Sequence, residues 1–172
     1  MVEKDIILKE DVRYSGFGNF KKSYEYAHDW LKGELFRITE DSYNEKLTGN
    51  EKEIEVKWIA SKKITDYFRI TLRIRWKILK MTDVEVEIDG KKEEMNKFQE
   101  IKIEIKGVLE KDYSTKWQPS PIYRFFKEVY HKYIIPSRTL EKEDQVREIV
   151  QDFKDEMKAF FDLTARRAKS SY

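Results

Sequence analysis

Residues 69–79 read RITLRIRWKIL, and their reading decides the fold. Together with the preceding Phe68, the side chains Ile70, Leu72, Ile74, Trp76 and Ile78 hold every even position. Arg69, Arg73, Arg75 and Lys77 hold odd ones. Alternation with a period of two places these sets on opposite faces of a β-strand, whereas a helix would mix them. One face must be buried, and the other presents a row of cations. What covers the first and what meets the second are the questions the rest of the chain has to answer.

The same period extends on both sides. Ile54, Val56, Trp58 and Ala60 alternate with Glu53, Glu55 and Lys57, and Val84, Val86 and Ile88 lead into Asp89-Gly90, a hairpin-turn signal. Ile101, Ile103, Ile105 and Leu109 form the last strand, with Gly107 marking a bulge or a close approach. Phe36 and Ile38 open an earlier strand that a turn at Thr48-Gly49-Asn50 closes. At the N-terminus Ile6, Leu8, Val12 and Tyr14 share one parity, with Glu10 the exception, giving a first strand over residues 5–14. The SGFGN corner ends in Asn19, a good N-cap, and Phe20, Tyr24, Ala27, Trp30 and Leu31 then recur at helical spacing up to Gly33.

Beyond Trp117 the pattern is helical. Ser120 is placed to cap and Pro121 to occupy the first helical position, followed by a stripe of Ile122, Phe125, Phe126, Val129, Tyr130 and Tyr133. Pro136 ends or kinks this helix, and Leu140, Val146, Ile149, Val150, Phe153, Met157, Phe160, Phe161 and Leu163 describe a second stripe. The expected architecture is α+β: a curved antiparallel sheet of about six strands, one N-terminal helix, and a long, Pro-kinked C-terminal helical region packed on the sheet. It forms one domain over 1–172, with a strand–helix–meander part at 1–115, the helical region at 116–168 and a tail at 169–172.

This order of elements is similar to that of the Bet v 1 and START-like helix-grip proteins. The resemblance implies a curved sheet wrapped around a C-terminal helix, with an apolar ligand held in the gap. Here Trp58, Leu72, Trp76, Phe126 and Tyr130 would line such a cavity. The strings KWQPSPIYRFFKEVY and YIIPSR further resemble an uncharacterised family of small archaeal proteins, a likeness that implies no activity.

The 172 residues suit one domain with a substantial core, and 10 Phe, 10 Tyr and 4 Trp argue for a packed globule. The 35 Lys and Arg nearly cancel 33 Asp and Glu, leaving +2, too small a surplus for a dedicated polyanion binder. Absence of Cys excludes a disulfide framework, and abundant Lys, Glu and Ile suit a hot or reducing setting. The charged start MVEKDIILKEDV lacks a signal-peptide core, and no apolar run is long enough to span a bilayer, so a cytoplasmic protein is expected.

Chemistry-bearing motifs are few. His28 and His131 lack the spacing of a metal pair, and no catalytic residue, metal or cofactor is expected. Gly16 and Gly18 before Lys21 and Lys22 lack the third glycine and the parallel-sheet setting of a nucleotide site. The Arg69, Arg73, Arg75 and Lys77 row could track a nucleic-acid or ribosomal backbone. Glu85, Glu87 and Asp89 on a following strand, with Glu53 and Glu55 on the preceding one, are expected to neutralise it. The strongest lead is surplus apolar surface at residues 117–135 and in the last helix, more than the sheet needs. The expected function is therefore a non-catalytic interaction or self-assembly protein. Its contact stripe would be Ile149, Phe153, Met157, Phe160 and Phe161, with the helix at 122–133 packed on the sheet and the partner a second copy or another protein.

Overall fold

The computed structural model describes residues 3–111, 121–129, 132–133 and 135–169. The period-two segments form five strands: β1 (Glu3–Gly18), β2 (Arg37–Thr48), β3 (Glu51–Lys63), β4 (Phe68–Ile88) and β5 (Lys91–Lys111). They make an open antiparallel sheet in the order β1-β5-β4-β3-β2. Helix α1 (Phe20–Gly33) links β1 to β2, and α2 (Pro121–Val129) and α3 (Ile135–Lys169) follow the sheet.

The sheet has five strands rather than about six because residues 84–88 continue β4 instead of starting a new strand. Lys80 takes a left-handed φ of 48°, and pairing with β5 skips from Leu79↔Glu100 to Thr82↔Lys97. The alternation is interrupted there without a turn. The turn itself comes at Asp89 and Gly90, both with positive φ (51° and 77°), as a two-residue hairpin requires.

One sheet face carries the core. Phe68, Ile70, Leu72, Ile74, Trp76 and Ile78 are all buried, as are Ile101, Ile103 and Ile105 of β5. Each such side chain contributes about 1.5–3 kcal/mol on leaving water. The covering element is α3, whose Val146, Val150, Phe153, Met157 and Phe161 recur every three or four residues and are buried along its length. It lies against β1, β5 and part of β4, beside α1. Helix α1 starts where Asn19 Oδ1 accepts the Lys22 N–H at 2.9 Å, and it buries Ala27 and Leu31.

Two local features seat α3. Gly107 faces it: a Cβ there would stand 2.6 Å from Val146 Cγ1 and 2.7 Å from Val150 Cγ2. Opposite Gly107, β1 slips register between Ile6 and Leu8. That bulge turns Ile6 out to solvent, against its expected parity, and lets Ile7 pack on the core. Glu10, the polar exception on the inner parity, reaches α3, accepting from Gln151 Nε2 at 2.9 Å and Lys154 Nζ at 2.7 Å. The Lys154 hydrogen bond, helped by Gln151, holds its carboxyl below the usual range.

The C-terminal region is two helices rather than one kinked at a proline. Pro136 sits in the first turn of α3, where its missing N–H costs nothing. The two helices also depart from the packing expected of them: α3 takes the sheet, while Ile122, Phe125 and Phe126 of α2 are exposed.

Candidate functional site

The expected contact stripe on α3 is consumed inside the chain. Phe153 and Met157 are fully buried, Phe161 nearly so, and Ile149 and Phe160 pack against the same core. Phe153 meets Trp30 of α1 with ring centroids 5.6 Å apart. Phe153, Met157 and Phe161 cover the sheet and are not available to a partner, whereas Ile149 and Phe160 are only partly buried.

The expected apolar cavity is filled. Trp58, Leu72 and Trp76 are buried, but aromatic rings of α1 occupy the space above them. Tyr24 lies 4.6 Å from Trp58 and 5.8 Å from Trp76, and Phe20 lies 6.2 Å from Trp76. Phe126 is exposed on α2 and lines no cavity with them, while Tyr130 lies outside the described residues. A separate apolar cleft of about 310 Å³ lies between the β4–β5 hairpin tip and the C-terminal part of α3, bordered by Ile88, Met95, Phe160 and Leu163.

Tyr24 also supplies the polar tie in this cluster. Trp58 Nε1 donates to its hydroxyl at 2.9 Å, and the hydroxyl donates to Glu40. Burial first, then Glu40, pushes the phenol up to about 12. The stabilisation tied to a raised pKa is complete below the ordinary phenol value of about 10 and is lost as pH rises from there toward 12. Tyr24→Phe should cost about 1–3 kcal/mol near neutral pH, since the Trp58 N–H loses its acceptor. Urea unfolding should show that deficit shrinking between pH 10 and 12; a deficit constant with pH would contradict the assignment.

The cationic row lies on the outer sheet face, and carboxylates pair with two of its four members, Glu55 being the one expected carboxylate among them. Glu85, Glu87 and Asp89 belong to the far end of β4 and its turn, so they are not across from the row. Arg75 pairs with Glu55 of β3 at 2.9 Å, as expected, and approaches Glu104 of β5 at 3.8 Å. Arg69 pairs with the buried Glu110 of β5. Lys77 lies across from Lys102 and Glu55. Arg73 remains exposed, without an ion-pair partner among the described residues. The missed residue is Lys106, directly across from Arg73; only the strand register could have brought them together.

Helix α2 presents a run of exposed apolar side chains. Ile122 is 69% exposed, Phe125 64% and Phe126 60%, with Val129 less so, and Tyr133 beyond the helix is exposed too. Leu140, one turn into α3, is exposed as well. His28 packs edge-on to Trp58 at 6.0 Å, and His131 lies outside the described residues. Among the described residues no cluster of His, Asp or Glu is arranged to hold a metal ion. No helix there is long and apolar enough to cross a membrane. Gly18 answers to packing, since a Cβ would meet the Phe98 ring at 2.9 Å, and Lys22 pairs with Glu93 at 3.3 Å. No protein-family model, curated protein or solved structure matches the chain.

Proposed function

We propose that the chain is a non-catalytic interaction protein that self-associates through α2. The observation carrying this reading is the exposed apolar face of Ile122, Phe125 and Phe126, beside a core that α3 already completes. A helix of 9 residues is too short to persist in water by itself, since isolated helices need about 12–15, so α2 gains from a surface to lie on.

Charge favours a second copy as that surface. Residues 121–133 carry Arg124, Lys127 and Lys132 against Glu128 alone. Residues 141–148 carry Glu141, Glu143, Asp144 and Glu148 against Lys142 and Arg147, beside the exposed Leu140. A two-fold pairing that lays each α2 along its partner's first turns of α3 satisfies both opposites twice. An apolar carrier of the helix-grip kind ranks second, because the expected cavity is filled and the free apolar room is the separate cleft near Met95.

Light scattering at micromolar concentration should give twice the chain mass for the wild type. The Phe125→Asp, Phe126→Asp variant should be monomeric with unchanged circular dichroism. Removing two phenylalanines from each side of the contact weakens association by at least about a thousandfold. A monomeric wild type, or one that instead sediments with anionic vesicles, would overturn self-association.

A further inference from the structure

We infer that Lys9, Lys106 and Arg73 form a binding site for a compact phosphate-class oxyanion on the outer face of the sheet. The strand register lines them up: Lys9 is directly across from Lys106, and Lys106 from Arg73. Neighbouring strands stand about 4.8 Å apart, so three positive charges fall within roughly 10 Å of backbone. All three side chains are exposed, and none has an ion-pair partner among the described residues. Like charges directly across a ladder repel.

The carboxylates next along β1 and β5 are engaged elsewhere. Asp11 is held by Arg13 at 3.1 Å and Lys102 at 3.9 Å, and Glu104 by Lys102 at 2.9 Å and Arg75 at 3.8 Å. On the other side Glu110 binds Lys4 at 3.5 Å and Arg69. The row therefore keeps its positive surplus although the sheet as a whole is balanced. Arg73 and Lys106 border a depression of about 430 Å³ that also includes Lys57, Arg75 and Ile59, with the carboxylates Asp41 and Glu104 at its margin. A guanidinium offers two parallel donors to an oxyanion, and two ammonium groups add point charges, which together suit one phosphoryl group.

The surroundings also set the ligand's size. Next along the strands, about 7 Å away, the row of Asp11, Glu104, Arg75 and Lys57 carries no net charge, and two of its members repel phosphate. Across the sheet the cations give way to Ile59 and Thr39 on one side and to the β1 edge on the other. An extended nucleic-acid backbone would gain from this patch at only one or two phosphates.

Pyrophosphate, titrated into the full chain up to about 10 mM, is expected to raise the thermal midpoint more than chloride at equal ionic strength. Lys106→Glu should behave oppositely in two readouts. It should raise the midpoint of the unliganded protein by relieving repulsion, and weaken pyrophosphate binding at least about tenfold by calorimetry. Arg73→Glu should do the same. An equal effect of chloride and pyrophosphate would overturn the site, as would unchanged binding in both variants. Tighter binding of a 5′-hydroxyl single-stranded oligonucleotide than of pyrophosphate would overturn its compactness.

Discussion

Phe153→Asp is expected to unfold the protein, and Phe153→Ala to lower its thermal midpoint by roughly 6–20 °C. Phe153 is fully buried between α3 and Trp30 of α1, within the stripe that runs from Val146 to Phe161. Truncating a buried phenylalanine costs about 3–5 kcal/mol, through lost transfer energy and the cavity left behind. A carboxylate in the same place must either stay charged without a partner or take up a proton, on top of the lost ring. Domain stabilities of about 5–15 kcal/mol leave little after that. Circular dichroism against temperature measures both variants. A folded Phe153→Asp protein with altered association would show instead that the α3 stripe is a contact surface.

Gly107→Val is the second large effect, at about 3 kcal/mol or more. The added Cβ alone would sit 2.6 Å from Val146 Cγ1 and 2.7 Å from Val150 Cγ2, well inside van der Waals contact. The β-branched side chain adds two methyl groups in the same gap, and β5 is a central strand that cannot swing away. Either α3 lifts from the sheet or β5 bends, and both open the core. Combining Gly107→Ala with Val146→Ala and Val150→Ala tests the cause, since sites that collide are not additive. The triple variant should recover part of the Gly107→Ala loss measured by urea unfolding. A strictly additive triple variant would place the strain elsewhere.

How far the sequence carried can be judged from particular residues. The even positions from Phe68 to Ile78 of β4 announced the buried face, because a sheet face on water tolerates no such run of apolar side chains. Asn19, Asp89-Gly90 and Gly107 were legible for the same reason: each answers a local geometric demand. Non-local facts stayed hidden. Residues 84–88 kept the alternation, so the kink at Lys80 did not reveal whether they began a new strand. The slip beside Leu8 reversed Ile6, and a one-residue register change always exchanges faces.

The candidate sites were less legible because they depend on which of two amphipathic helices wins the sheet. Both stripes are apolar, but that of α3 is far longer, and a longer continuous stripe buries more surface. The shorter α2 is left facing out. Likewise, neutralisation of Arg69 follows from β5 being its neighbour, through Glu110, whereas Arg75 is met chiefly by Glu55 of β3. The uncompensated row at Arg73 follows from the same pairing, through Lys106 and Lys9.

Because the chain has no cysteine, site-specific cross-linking tests the central claim most directly. One preparation carries Phe125→Cys, the other Leu140→Cys, and both positions are exposed. Mixed in equal amounts and oxidised mildly, they should form the mixed disulfide dimer faster than either preparation alone forms its own. That result places α2 of one copy on the first turns of α3 of another. Monomers after oxidation, or equal rates for mixed and unmixed samples, would contradict the proposed docking.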